Sequence, residues 1–126
     1  MIVDKLKFIK QQMNILAVPY EFMQWSSDVR YPYTVGEYTE TPTMTEDGYE
    51  ESTFILTVTT RNTWLELEEI KKKIKEHFPA NGGLRAETDS GSIAVFFSSS
   101  FPVPTGEADL KRIQINLDIK EWKGTD

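Results

Sequence analysis

His77 is the only imidazole in this 126-residue chain, and no cysteine accompanies it. Acid–base catalysis needs a base held by a partner, and a zinc site needs several nitrogen or sulfur ligands; one histidine supplies neither. Beside Phe78 at the end of a helical run, His77 reads as a surface residue favoured by the C-terminal end of the helix dipole. "TEDGYEE" (45–51) lacks the alternating Asp/Asn and the distal Glu of a calcium loop. "NGGLR" (81–85) follows a helix instead of opening one, which makes a C-cap and turn, not a phosphate cradle. The serines of "SSS" (98–100) have no base beside them and no nucleophile-elbow context. "KKKIK" (71–75) is offset by the acidic first half of its own helix, and Trp25, Trp64 and Trp122 read as packing residues. The expectation is a protein without catalytic residues, cofactor or metal.

Two stretches remain that folding does not require. "YPYTVGEYTETPTMTEDGYEE" (31–51) carries four tyrosines and six acids, with no lysine or arginine between Arg30 and Arg61. Outside residues 31–60 the acids and bases balance at fourteen each, so the net charge of −6 arises here. "SSSFPVPTGEADL" (98–110) carries Phe101 and Val103 without periodic partners between two prolines and a glycine. Long loops in compact domains are uncommon unless functional or disordered, and exposed aromatics point to protein contacts. The expected interface residues are Tyr31, Tyr33, Glu37, Tyr38, Glu46, Asp47, Tyr49, Glu50 and Glu51 in the acidic arm, and Phe101, Val103 and Glu107 in the second loop. With only Met44 and Tyr49 to bury, residues 40–51 hold too little apolar area to offset their ordering entropy, about 1–2 kcal/mol per residue. They are expected to be loosely ordered until a partner contacts them.

The elements that position these stretches follow from periodicity. Val3, Leu6, Ile9 and Met13 predict a helix over 2–14, with Asp4, Lys5, Lys7 and Lys10 on the other face, ending before Pro19. Strand-like pieces follow near 20–25 and 33–39, then a hairpin loop over 41–51. In "STFILTVTT" (52–60), Phe54, Leu56 and Val58 face one way and Ile55, Thr57 and Thr59 the other. Thr63 and Glu66 form a capping box for a helix over 63–78 whose buried stripe is Leu67, Ile70, Ile74 and Phe78. Glu68–Lys72 and Glu69–Lys73 are favourable pairs on its surface. Residues 93–97 are apolar on both faces, predicting a central strand, and 112–120 alternate cleanly. The result is a single α+β domain over 1–126: an antiparallel sheet of four to five strands with two helices on one face, in the order α-ββ-α-ββ. Loops 40–51 and 99–109 project from it.

Composition narrows the class. With 39% hydrophobic and 12% aromatic residues the chain is globular. Charges at positions 4, 5, 7 and 10 interrupt any signal-peptide run, no stretch is long and apolar enough for a membrane, and the absence of cysteine fits a reducing compartment. A pI near 4.8 opposes bulk nucleic-acid binding.

The order of motifs resembles a known family. An N-terminal helix precedes "YPYTVGEY", a polar hairpin loop, the Thr-rich "FILTVTT", a helix opening on tryptophan ("TWLELEEIKKKI") and a final hairpin ending in "EWK". Over nearly the whole chain this pattern resembles the tail-terminator, or tail-completion, proteins of long-tailed bacteriophages and prophages. The resemblance implies a small non-enzymatic subunit that forms a closed, usually six-fold homo-oligomeric ring. Such a ring caps the tail tube, stops its polymerisation and joins the tail to the head. Its partners would be further copies of itself, the tail tube protein and a head-completion or connector protein, with no sequence-specific nucleic acid and no membrane. It would be located in the virion tail after assembly in the bacterial cytoplasm. Three other readings stand beside it: another head–tail connector or head-completion protein, an acidic module that mimics nucleic acid, and a small enzyme with an unrecognised site.

Overall fold

The structure, a computed structural model, describes residues 2–25, 28–40 and 49–124. Eight elements follow one another: α1 (Ile2–Ile15), β1 (Tyr20–Phe22), β2 (Tyr33–Glu40), β3 (Tyr49–Thr60), α2 (Trp64–His77), β4 (Leu84–Thr88), β5 (Gly91–Pro102) and β6 (Lys111–Lys123). The strands make one six-stranded sheet in the order β1-β2-β3-β6-β5-β4. All neighbours are antiparallel except β1 and β2, which run parallel with Tyr20 beside Thr34 and Phe22 beside Gly36.

The architecture is α+β as expected, but the sheet has six strands instead of four to five, and the order is α-βββ-α-βββ. The edge strand β4 was not expected, while β1 falls within the strand-like piece expected near 20–25. β4 follows Gly82 and Gly83, both at positive φ (91° and 65°), and only its alternate residues are half-buried. An edge strand covered on so little of its surface writes a weak apolar signal, and its glycines look like the end of a helix and nothing more. β1, three residues long, is held parallel to β2 because the chain between them must cross back before pairing.

Register explains the core. Phe54 lies opposite Leu117, Leu56 opposite Ile115, Val58 opposite Ile113, and Val95 opposite Ile119. These residues share one face and are fully or almost fully buried, together with Phe8, Ile9 and Met13 of α1 and Leu67, Ile70 and Ile74 of α2. Both helices therefore cover that face. Gly36 stands on it because a Cβ there would come within 2.6–2.7 Å of the Tyr20 and Phe54 rings; its absence lets the rings lie against the β2 backbone.

The helix ends are specified locally. α1 closes with Val18 N–H donating to the Met13 carbonyl (3.0 Å) and Ala17 in the left-handed region (φ 57°), two residues before Pro19. At α2, Thr63 Oγ1 accepts from Glu66 N–H at 3.2 Å. Glu66 is not the reciprocal half of the expected box. Its Oε1 instead accepts from Thr60 Oγ1 (2.5 Å) and Asn62 Nδ2 (3.2 Å), fastening the helix start to β3. The surface pair that forms is Glu68 with Lys71, one helical turn apart.

Candidate functional site

The β2–β3 and β5–β6 connections leave opposite ends of the sheet. β3 runs from Tyr49, beside Trp122, to Thr60, beside Lys111. β5 runs from Gly91, beside Lys123, to Pro102, beside Ile113. The acidic arm thus leaves one end of the sheet and the proline-rich loop the other. With strands of 12–13 residues, the ends are separated by about 40 Å at roughly 3.3 Å per residue. The expected interface residues divide between these ends.

At the arm end, Tyr49, Glu50 and Glu51 are not loop. They extend β3, opposite Trp122, Glu121 and Lys120, because β6 continues to Lys123 and offers backbone partners that a local reading does not see. Tyr49 packs on Trp122 (ring centroids 5.6 Å) under the Lys120 ammonium (5.1 Å). Glu46 and Asp47 lie outside the described residues, as does the rest of 41–48. Tyr38 stacks on Phe22 (5.9 Å) against the core, and Glu37 is exposed on the helix-free face opposite Ile55.

This end also holds an ionic cluster that the sequence reading missed. Asp4 and Lys5 were expected on the solvent face of α1, yet both are buried, Lys5 to 1% exposure. Lys5 Nζ donates to Glu40 Oε1 (2.7 Å) and Ser52 Oγ (3.0 Å), lies 3.6 Å from Glu121 Oε1 and sits 4.8 Å over the Tyr38 ring. Glu121, 2% exposed, has its carboxyl pushed above the usual range by burial, with Lys5 opposing the shift. Asp4 Oδ2 and Glu121 Oε2 are buried without a hydrogen bond among the described residues. The signals were present in the chain. Lys5 precedes Ile9 and Met13 at steps of four, and Glu121 continues the inward parity of Ile113, Ile115, Leu117 and Ile119.

At the opposite end, the proline-rich loop is shorter than expected. Ser99–Pro102 belong to β5, beyond a bulge between Phe97 and Ser99. Phe101 extends over the helix-free face opposite Gln114, half-exposed. Val103 N–H donates to the Arg112 carbonyl (2.9 Å), and Thr105 Oγ1 donates to the Leu110 carbonyl (2.7 Å). Arg61 then ties the loop to the arm's first residues: its guanidinium donates to Asp109 (2.7 Å), Glu107 (3.0 Å) and the Tyr31 hydroxyl (3.1 Å). This pairing holds Asp109 below the usual carboxylate range. Trp25, Tyr33 and Tyr31 continue as a ladder of tilted rings at 5.4 and 5.8 Å.

Two concavities flank α1. A groove of ≈ 460 Å³ runs between Leu6, Lys7 and Lys10 of α1 and Tyr20, Glu21, Phe22 and Gln24. The Tyr20 hydroxyl is buried without a hydrogen bond among the described residues, and burial pushes its pKa up. A smaller recess of ≈ 140 Å³ lies between α1 and the β4–β5 turn, lined by Asp4, Glu87 and Asp89 among others. No group of three or more His, Cys, Asp or Glu side chains that could hold a metal occurs among the described residues. His77 Nε2 donates to Gln12 Oε1 (2.6 Å), which joins α2 to α1 and makes the histidine a packing residue rather than a free surface group. No described helix is long and apolar enough to cross a membrane.

No family model matches the chain, and no curated protein matches it. Among solved structures, one protein whose name carries no functional words superposes with a TM-score of 0.72. It is 14% identical, and the match covers 97% of this chain and 95% of that one. At that identity the likeness is one of fold.

Proposed function

We propose that the chain is a non-enzymatic assembly subunit of a long-tailed phage or prophage: a tail terminator that forms a homo-hexameric ring, caps the tail tube and joins it to the head. One observation carries the proposal. The residues available for contact divide between opposite ends of one sheet: the end from which the acidic arm leaves, and the end that carries the Trp25–Tyr33–Tyr31 ladder and the proline-rich loop. A ring requires such a pair of dissimilar patches, because each subunit must present to one neighbour a surface different from the one it presents to the other. The short edge strands β1 and β4 add open backbone that a neighbour or the tube end can cover. Sequence order supplies the choice of tail terminator over other ring-forming subunits. Against the nucleic-acid mimic, two acids of the second loop, Glu107 and Asp109, are engaged by Arg61, so the free carboxylates do not line one continuous face.

Deletion of the gene tests the proposal. Electron microscopy of the resulting lysate should reveal headless tails of uncontrolled length, and the purified protein should restore head joining. Tails of normal length that fail to join heads would assign the chain to head completion instead. Normal, complete virions would remove it from assembly altogether.

A further inference from the structure

The groove between α1 and β1 has a chemistry that complements the acidic arm. Its floor is Leu6, Tyr20 and Phe22, and its rim carries Lys7 and Lys10, both exposed. Neither lysine is in an ion pair among the described residues. The single acid lining it, Glu21, sits on the strand side. Residues 41–48 carry the complementary set in the same sequential compass: Met44, an unbranched side chain that fills irregular apolar space, followed by Glu46 and Asp47.

We propose that this groove is the seat of the acidic arm of a second copy, with Met44 on the apolar floor and Glu46 and Asp47 against Lys7 and Lys10. The docking presupposes the ring reading above and names its contact. Lys7 and Lys10 stand three apart on one helical face and so present two ammonium groups side by side, matching two adjacent carboxylates. β1 is the outermost strand, so an incoming segment meets no further strand. The arm leaves the β2–β3 end while the groove lies along α1, so donor and acceptor surfaces differ and the contact is heterologous, able to close a ring. Exposed pairs of this kind contribute mainly orientation and encounter rate, which suits a subunit that must not assemble before its tube is ready.

Charge exchange tests it. Lys7→Glu/Lys10→Glu places an acidic groove against an acidic arm, and Glu46→Lys/Asp47→Lys places a basic arm against a basic groove. Each double variant alone should lose roughly tenfold or more in association constant by sedimentation, given the cost of juxtaposed like charges. Mixed in equal amounts they should associate again, since each arm then finds an opposite groove. Thermal melts should match the wild type, because these lysines face solvent. A wild type that associates while either variant associates equally well, or a mixture that does not recover, overturns the docking and leaves the ring standing. A wild type that stays monomeric at every concentration and on purified tail tubes overturns both.

Discussion

Lys5 and Glu121 are the residues on which the structure depends most sharply. Both are removed from water; Lys5 is the cation that faces Glu121, and it also pairs with the half-exposed Glu40. Breaking a buried pair from one side leaves the remaining charge without compensation, at about 3–5 kcal/mol, whereas replacing both by apolar groups is often neutral. Lys5→Met should therefore lower the urea-unfolding free energy by about that amount, and Lys5→Met/Glu121→Leu should recover most of it. The same pair writes a pH signature. Because burial raises the folded-state pKa of Glu121 above 4.5, the native state retains a proton that the unfolded chain releases. The resulting stability is complete below the ordinary glutamate range and lost as pH rises through the raised value. Unfolding measured across that interval should slope downward with pH, and Glu121→Gln should flatten the slope. Asp109 acts with the opposite sign: held low by Arg61, it contributes above its ordinary value and loses that contribution as pH falls.

At the level of elements, the loop after β5 and the end of α1 are set by different devices. Arg61 is one side chain joining three segments, and its partners are exposed. Exposed ion pairs add little to global stability but restrict local opening. Arg61→Ala should leave the unfolding midpoint nearly unchanged while amide exchange over 103–110 becomes several-fold faster. At α1, Ala17 holds a left-handed backbone (φ 57°) that only glycine adopts without strain. Ala17→Gly should stabilise the protein by about 1 kcal/mol in denaturant melts; a loss would mean that the turn is held by contacts of the Ala17 methyl.

Over the whole molecule the chain folds as two consecutive α-β-β-β halves whose last strands, β3 and β6, pair at the centre of the sheet. That pairing aims the two long hairpins in opposite directions, and because both helices pack on one face of the sheet the other is helix-free among the described residues. Phe101 lies on this face, 46% exposed. Phe101→Ser should shift monomer stability by no more than about 0.5 kcal/mol, as surface changes do, while weakening association with neighbours or tube in sedimentation and pull-down on assembled tails. Equal association by the variant would confine the contact surface to the acidic end.

What the sequence determined by itself is the part governed by local periodicity. Both helices, the inward set Phe54, Leu56 and Val58, the alternation of 113–119 and the hydroxyl cap at Thr63 are each written within a few residues, and each is observed. Tertiary structure decided what depends on distant partners. The strand β4 exists because a neighbouring strand offers hydrogen bonds, not because its own composition demands it. Residues 49–51 join the sheet because β6 is long enough to pair with them. Lys5 is buried because Glu40, Ser52 and Glu121 converge on it from three strands, and Glu107, although exposed, is tied to Arg61, 46 positions away in the chain. Charge and hydroxyl chemistry can be read from a chain, but the satisfaction of a buried charge is a property of the fold, since the desolvation cost is met only where opposite groups arrive together.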